Sequence, residues 1–253
     1  QPRSRGLGDV YKRQELGIAD STFFQFTKKL GYNGFKDFKM AMLMQENDFS
    51  AISIHENIQK SDNELTMAQK VFDSNMTTLT DTKNLLKEED LKLAAAMINQ
   101  SKRLFFFGVG GSEIVATDAY HKFLRSPITV FHSSDYHIQL MEASLLTPDD
   151  CGIFISHTGK SRETIELAQV AKNNGAKIIV ITSHAASPLA KLGDVVFISI
   201  SEETEFRSEA LASRIAQLSI MDSLYVILMF INRDKAQQSI AKIRRSISKI
   251  KEP

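Results

Sequence analysis

From Arg103 onward, five short apolar runs alternate with helical patterns, and this alternation constrains the fold more than any other feature of the chain. Each run is continuously apolar, as expected for a strand that is covered on both faces. Strands that alternate with helices form a parallel sheet, because each crossover helix carries the chain back to the starting edge. We therefore expect an α/β domain with a five-stranded, doubly wound parallel sheet. The runs are LFFFG (104–108), ITVFH (128–132), GIFIS (152–156), KIIVIT (177–182) and VVFISI (195–200), and the helical patterns lie near 112–125, 135–146, 161–174, 186–192 and 209–231.

Length and composition set the class of protein. A chain of 253 residues with 43% hydrophobic content can bury one substantial core and carry a small accessory unit. The single cysteine, Cys151, excludes an internal disulfide and a cysteine-based zinc site, and we expect no bound metal. No apolar run approaches the roughly 20 residues that cross a bilayer. We therefore expect a soluble, cytoplasmic protein without membrane contact.

Small polar residues follow three of the predicted strands: GVGGS (108–112), SHTGKS (156–161) and TSHAAS (182–187). In a parallel sheet, ligands bind beyond the carboxyl ends of the strands. A turn between a strand and a helix presents backbone N–H groups at the positive end of the helix dipole, which favours a phosphate. The simpler interpretation is that these hydroxyls only cap helices and close turns. Their occurrence after several strands favours a binding role.

The glycines after the first strand do not predict a nucleotide cofactor. The pattern G-x-G-x-x-G is not completed, because Glu113 occupies the last glycine position. The sequence also contains no G-x-x-x-x-G-K-[ST] motif for a nucleoside triphosphate. We therefore expect no cofactor.

Residues 15–45 have a helical pattern, with a helix that begins at Ala19 or Asp20 and ends at Gly31. We expect one face to be buried through Phe23, Phe26, Thr27 and Leu30. The other face is polar and is suited to lie in the major groove of DNA as the reading helix of a helix-turn-helix. An ordinary amphipathic helix with a solvated face has the same pattern. The candidate DNA-binding residues are Ser21, Thr22, Gln25, Lys28 and Lys29.

Changes in composition predict the domain boundaries. Residues 1–14 lack apolar periodicity, and we interpret them as a non-native scar that replaces the true N-terminus. Residues 1–46 carry 8 basic and 5 acidic residues and residues 232–253 carry 7 and 2, which gives weak support for a nucleic-acid contact. The expected segments are the scar at 1–14, a helix-turn-helix remnant at 15–46, a helical linker at 47–84, the α/β domain at 85–232 and a basic helix or tail at 233–253.

Residues 103–231 resemble a sugar isomerase (SIS) domain, and together with residues 15–46 the chain resembles the RpiR-type transcriptional regulators. The matching stretches include FFGVGGSEIVATDAYHKFLR, FHSSDYHIQL, ISHTGKSRETIELAQVAKNNGAKIIVIT, SPLAKLGDVV and FRSEALASRIAQLSIMDSLY, with KKLGYNGFKDFK (28–39) in the DNA-binding unit. Ala19 replaces the serine that usually precedes the reading helix, and Gln25 replaces the basic residue common in its middle. We expect the family's helices before Glu15 to be missing from this chain. The resemblance implies that Ser112, Ser156, Thr158 and Ser161 hold a sugar phosphate, with Ser183 and Glu209 lining the pocket. The full candidate set is Gly110, Ser112, Ser156, Thr158, Gly159, Ser161, Thr164, Ser183 and Glu209.

The resemblance leaves a regulator and a sugar-phosphate isomerase as alternatives, because one fold serves both. An aldose–ketose isomerase needs a base that moves a proton between adjacent carbons. The attached helix-turn-helix favours a regulator of carbohydrate metabolism that binds a phosphorylated sugar and an operator in double-stranded DNA. We expect a homodimer or homotetramer, and the apolar helix at 209–231 is either its dimer surface or a buried core helix. The candidate isomerase bases are His121, His137, Glu142, His157 and Glu209.

Overall fold

The computed structural model describes residues 20–31, 34, 38, 58–59, 61–200 and 211–251. The chain divides into two compact units, Gln1–Asp62 and Asn63–Pro253. Several sequence expectations lie outside the described residues: those for residues 1–14, for Ala19, for Glu209, and for the side chains of Ser21, Thr22 and Phe23.

The first unit contains helix α1 (Asp20–Lys29). It ends as expected at Gly31, whose φ of +88° is readily adopted by glycine. Thr27 is fully buried, but Phe26 and Leu30 are 51% and 50% exposed, so the expectation that both are buried is wrong. Of the four residues expected on the buried face, Thr27 is buried. The ring of Phe26 is half exposed and meets the ring of Phe38 edge-on at a centroid distance of 6.5 Å.

The second unit contains the predicted five-stranded sheet. All strand pairs are parallel, and the spatial order is β2-β1-β3-β4-β5. This order, with helices on both faces, confirms the doubly wound α/β fold. The strands are β1 (Arg103–Gly108), β2 (Thr129–His132), β3 (Asp150–Ile155), β4 (Lys177–Thr182) and β5 (Val195–Ile198).

Helices surround this sheet at the places that the periodicity predicts, with one exception. The helix expected at 186–192 is wrong, because the chain forms only a 3₁₀ turn at Ala190–Leu192. Pro188 disfavours helical backbone at Ser187, so no helix extends before it, and the turn ends at Gly193, whose N–H donates to the Ala190 carbonyl at 3.1 Å. The helices are α2 (Glu64–Leu85), α3 (Glu88–Gln100), α4 (Gly111–Phe123), α5 (Tyr136–Ser144), α6 (Arg162–Asn173), α7 (Leu211–Ile231) and α8 (Arg233–Lys251).

The core has one layer on each face of the sheet. One layer is built from α3, α4 and α7, and the other from α5 and α6. Phenylalanines of β1 contribute to both layers, because successive side chains of a strand point to opposite faces. Phe106 packs at 5.2 Å from Phe123 of α4, and Phe107 stacks at 4.6 Å on Phe154 of β3.

Helix α7 is long and apolar enough, by length and composition alone, to cross a membrane, and it is the one such helix in the described part of the chain. Its inner stripe, which includes Ile220, Leu224 and Leu228, is buried in the core layer of α3 and α4. We therefore interpret it as the core helix of the α/β unit. Its outer face exposes Val226 (55%) and Phe230 (79%), and the dimer surface, the other alternative for this segment, stays a prediction for that face.

Candidate functional site

The end of β1 is shaped so that α4 can begin at once. A Cβ on Gly108 would lie 2.7 Å from the carbonyl oxygen of Ser112, so only glycine permits this close approach. Gly110 precedes α4 with φ +60° and ψ −126°. Gln139 of α5, which is 1% exposed, donates to the Gly108 carbonyl at 3.0 Å and accepts from the Gly108 N–H at 3.3 Å. Ser112 is thereby held, half-buried, in the first turn of α4.

The turn after β3 is fastened to the neighbouring strand end. The N–H of Ser156, a residue that is 5% exposed, donates to the Ile181 carbonyl at 3.1 Å. Gly159 adopts φ +62°, and a Cβ there would lie 2.2 Å from Oγ of Ser187. The Gly159 carbonyl accepts from the N–H of Leu189 at 3.2 Å. The turn therefore requires glycine both for its conformation and for its packing.

Ser161 caps helix α6 in this structure. Its hydroxyl lies 3.5 Å from the Thr164 N–H nitrogen and accepts from the Thr164 hydroxyl at 3.3 Å. It also donates to Glu163 at 3.0 Å. Hydrogen bonds from its own backbone N–H and from Ser161 lower the pKa of Glu163, so this carboxylate stays ionised beside the turn. Ser161 thus performs the capping role that the simpler interpretation gave it, and a phosphate at this hydroxyl must displace Glu163.

The two remaining hydroxyls of the candidate set differ in exposure. Thr158 is exposed and accepts from the Lys160 N–H at 3.2 Å. Ser183 is half-buried, with its hydroxyl 2.8 Å from Nδ1 of His157 and 3.2 Å from the hydroxyl of Ser199. Ser183 therefore ties the turn after β3 to the ends of β4 and β5.

These loops leave the sheet side by side. Gly108 of β1 pairs with Ile155 of β3, and Ile155 pairs with Ile181 of β4. Neighbouring strands lie about 4.8 Å apart, and β1 and β3 flank the point where the strand order reverses, which is where open α/β sheets bind ligands. Helices α4 and α6 both begin at this edge. The structure thus brings one part of the candidate set to one edge of the sheet: Gly110, Ser112, Ser156, Thr158, Gly159, Ser161, Thr164 and Ser183.

Comparison with known proteins identifies the family. Residues 97–227 match the model of the SIS domain family. An uncharacterized HTH-type transcriptional regulator of Haemophilus influenzae is 31% identical over 240 residues, which span 93% of this chain and 82% of that protein. The HTH-type transcriptional regulator RpiR of Escherichia coli is 29% identical over 231 residues, which span 90% of this chain and 77% of that protein. The chain belongs to the RpiR-type transcriptional regulators that carry a SIS domain. These relatives are regulators rather than enzymes, which confirms the preference for a regulator over an isomerase.

A solved structure supports the same fold for this RpiR-type regulator. The NanR protein of Vibrio vulnificus, complexed with ManNAc-6P, superposes with a TM-score of 0.71 at 21% identity, and the match covers 94% of this chain and 84% of that chain.

Of the residues that the sequence offered as isomerase bases, Glu209 lies outside the described residues, and the others differ in where they lie. His121 lies nine residues after Ser112 on α4, about 13 Å along the helix axis, and is exposed. His137 is exposed on α5, where it lines a surface groove of about 530 Å³ with Leu140 and Met141. Burial raises the pKa of Glu142, although the nearby His132 opposes that shift. Among these candidates in the described part of the chain, only His157 belongs to the loops at the strand ends.

Sequence reasoning missed a hydrogen-bonded cluster at the end of β2, in which the His132 side chain is 5% exposed and Thr117 lies at the surface. Nδ1 of His132 lies 2.9 Å from the Phe106 carbonyl, and Nε2 lies 2.9 Å from the Thr117 hydroxyl and 3.3 Å from Glu113. The Thr117 hydroxyl donates to Glu113 at 2.6 Å. The position of His132 as the last residue of an apolar run was the available signal. Glu113 belongs to the first turn of α4, but its carboxylate contacts Thr117, one turn further along the helix, and His132.

Sequence reasoning also missed Arg214, which belongs to α7 and is distant in sequence from every loop of the site. A Cβ built on Gly111 would lie 3.5 Å from Nη2 of Arg214, so the guanidinium reaches the N-terminus of α4. Arg214 is the one basic residue of α7, but this alone does not assign it to the site, because the rotation of the helix about its axis depends on packing.

Proposed function

We propose that the second unit binds a phosphorylated sugar and that this binding changes the affinity of the regulator for its DNA operator. The proposal rests on the meeting of hydroxyl-bearing loops and two helix N-termini at the reversal point between β1 and β3. A phosphate dianion suits this edge, because backbone N–H groups and serine and threonine hydroxyls are its usual partners and the helix dipoles favour negative charge. Ser112, Ser156, Thr158 and Ser161 are the proposed phosphate ligands.

The sugar-phosphate class has independent support from the solved relative. NanR of Vibrio vulnificus was solved with ManNAc-6P, and the two chains share a fold over 94% of this chain and 84% of that chain. We infer that this regulator takes a ligand of the same chemical class. Ser183 and Glu209 are proposed to line the sugar end of the pocket, with Gly110, Gly159 and Thr164 shaping the loops around the phosphate.

The first unit is proposed to hold the operator in double-stranded DNA. Gln25, Lys28 and Lys29 are exposed on α1, and Ser21 and Thr22 complete the proposed surface. Two lysines supply the attraction to phosphates that most non-specific DNA binding requires. A glutamine can read an adenine edge in the major groove.

Coupling between the two sites is proposed to work through linkage. An effector that binds one arrangement of the subunits more tightly shifts the population towards that arrangement. A coupling free energy of about 1–3 kcal/mol changes operator affinity about 5- to 150-fold. We place this regulator in the cytoplasm as a homodimer or homotetramer, with the exposed face of α7 as the proposed contact.

The test is calorimetric titration of the full chain with sugar phosphates, using glucose 6-phosphate, ribose 5-phosphate and N-acetylmannosamine 6-phosphate as probes. The variant S156A/S161A is expected to lose binding of the phosphorylated probe that binds the wild type. Because Ser161 caps α6, the same variant loses about 1 kcal/mol of stability. Asn63→Ala is the matched control, since Asn63 caps α2 by accepting from the Thr66 N–H at 2.9 Å. This control should lose similar stability and keep full binding.

Two outcomes would overturn the proposal. Equal affinity in the wild type and in the folded S156A/S161A variant would show that the phosphate does not bind at these loops. Steady turnover of an aldose phosphate to the ketose, in place of simple binding, would make the protein an isomerase. A gel-shift assay completes the test. It uses a DNA fragment from the region upstream of the parent gene, and the fraction of this DNA bound by the protein should change when the binding probe is added.

A further inference from the structure

We propose that Arg214 of α7 pairs with the anionic group of the effector at the N-terminus of α4, and that it supplies a positive charge which the hydroxyl-bearing loops lack. This inference rests on the proposed function and names one more residue of the same site. Arg214 comes from a helix that none of the loop motifs includes. Its role therefore follows from how α7 packs and not from any sequence motif.

Helices α4 and α7 pack side by side and run in the same direction. Near their C-terminal halves, Lys122 of α4 forms an ion pair with Asp222 of α7. The rings of Phe123 and Tyr225 meet at a centroid distance of 5.5 Å. The approach of Arg214 to Gly111 joins the first turns of the same two helices, so α4 and α7 run parallel and both begin at the carboxyl edge of the sheet.

The guanidinium of Arg214 lies over the first turn of α4. Nη2 is 3.5 Å from the position that a Cβ of Gly111 would occupy, which is van der Waals contact distance, so the guanidinium lies directly beside the first residue of α4. The N-terminus of α4 carries partial positive charge from the helix dipole. A cation beside it is unfavourable unless an anion lies between them, and a ligand phosphate meets that requirement.

Arg214 is not satisfied within the described part of the chain. Its Nε is buried and has no hydrogen-bond partner there. Glu113, the acidic residue in the first turn of α4, instead accepts from Thr117 and lies beside His132. A buried guanidinium N–H without an acceptor is unusual in a folded protein, because its desolvation is uncompensated. A bound phosphate supplies such an acceptor, and the planar fork of arginine suits it better than lysine does.

The buried stripe of α7 changes character along the helix in the same sense. In the first two turns it contains the polar residues Ser213 and Gln217 beside Ala216, and it is apolar from Ile220 onward. Gln217 is 2% exposed, and its Nε2 also lacks a hydrogen-bond partner within the described residues. Unpaired donors therefore accumulate at the end of α7 that faces the site, as expected if a ligand completes them.

The test compares Arg214→Gln and Arg214→Lys with the wild type by calorimetry and thermal shift, using the three sugar phosphates above and inorganic phosphate as probes. Arg233→Gln is the matched control, because it makes the same charge change at an exposed position beyond the opposite end of α7. We expect Arg214→Gln to weaken the binding probe at least tenfold, Arg214→Lys to weaken it less, and Arg233→Gln to leave it unchanged. Without ligand, Arg214→Gln should melt no lower than the wild type, since it removes an unpaired donor.

The outcomes separate this inference from the proposed function. If the wild type binds a sugar phosphate and Arg214→Gln binds it equally well, the role of Arg214 is wrong and the site itself stands. If neither the sugar phosphates nor inorganic phosphate stabilises the wild type, both proposals fail together. Loss of binding accompanied by a large fall in the ligand-free melting temperature of Arg214→Gln and Arg214→Lys alike would assign Arg214 a structural role instead.

Discussion

Substitution of Gly159 by alanine tests how the phosphate turn is built. Gly159 sits at φ +62°, and an added Cβ would lie 2.2 Å from Oγ and 2.5 Å from Cβ of Ser187, and 2.9 Å from the hydroxyl of Thr182. Gly175 provides a matched comparison, because its φ of +79° imposes a similar backbone penalty. Its added Cβ would come only to 3.1 Å from the ring of Pro148.

The two substitutions should differ mainly through steric overlap. A non-glycine residue in the left-handed region costs about 1–2 kcal/mol at either position. At Gly159, displacement of well-packed neighbours adds about 1–3 kcal/mol. Ser187 also caps the 3₁₀ turn by accepting from the Ala190 N–H at 3.2 Å, and loss of that bond adds about 1 kcal/mol. We therefore expect a loss of about 3–6 kcal/mol for Gly159→Ala and of about 1–2 kcal/mol for Gly175→Ala.

Differential scanning calorimetry measures the difference. For a unit of this size, 1 kcal/mol corresponds to about 2–4 °C, so Gly159→Ala should melt on the order of 10 °C or more below the wild type. The double variant G159A/S187G removes the two closest atoms of Ser187, and it should recover part of the loss through a positive coupling of about 1–2 kcal/mol. The reasoning is refuted if Gly159→Ala is no more damaging than Gly175→Ala, or if removing the Ser187 side chain brings no recovery.

Three further predictions concern ionisable groups of the second unit. Burial alone would raise the pKa of Asp150, but hydrogen bonds from Arg103 and Thr147 outweigh it and lower that pKa. Its stabilising effect is thus complete above about pH 4 and is lost as the pH falls through the lowered value, so Asp150→Asn should flatten acid unfolding followed by circular dichroism. Burial raises the pKa of Glu142, so stability falls as the pH rises from about 4.3 through the raised value. Glu142→Gln should accordingly raise the melting temperature at pH 7, and a lower one would refute this. Burial raises the pKa of the Cys151 thiol to about 12, so a thiol reagent at pH 8 should label it only after denaturation, and rapid labelling of the native protein would contradict its burial.

The strands were predictable because a fully covered strand leaves a continuous apolar run. The run at 177–182 coincides with β4 (Lys177–Thr182). The strand boundaries differ from the apolar runs where a residue distant in sequence forms a hydrogen bond or ion pair with the end of the strand. β3 begins at Asp150, two residues before its apolar run, because Arg103 of the neighbouring strand pairs with that carboxylate at 2.6 Å. β5 ends at Ile198, since the N–H of Ile200 bonds instead to the hydroxyl of Thr82, 118 residues away.

The candidate site divides in the same way. Hydroxyls and glycines after strands are local signals, so the loops with Ser112, Ser156 and Ser161 could be predicted from the sequence. Gln139 and Arg214 could not, because each comes from a helix whose rotation about its axis depends on packing. A glutamine at the start of an amphipathic helix has no distinguishing pattern, although Gln139 is what holds both backbone groups of Gly108.

Unpaired donors near the site connect ligand binding to stability. Each buried polar group without a partner costs about 1–3 kcal/mol, and the described residues leave Nε of Arg214 and Nε2 of Gln217 in that condition. An effector that accepts from either group recovers free energy of the same size as a typical allosteric coupling, about 1–3 kcal/mol. Both groups belong to α7, which also exposes Val226 and Phe230 on its outer face. Helix α7 has 21 residues and is about 31 Å long, and a shift of the whole helix towards the ligand would also displace that outer face. If the effector binds Arg214 as proposed and the subunits meet at the outer face of α7, both act on one rigid element, and ligand binding could then change how the subunits present the proposed DNA-binding helices.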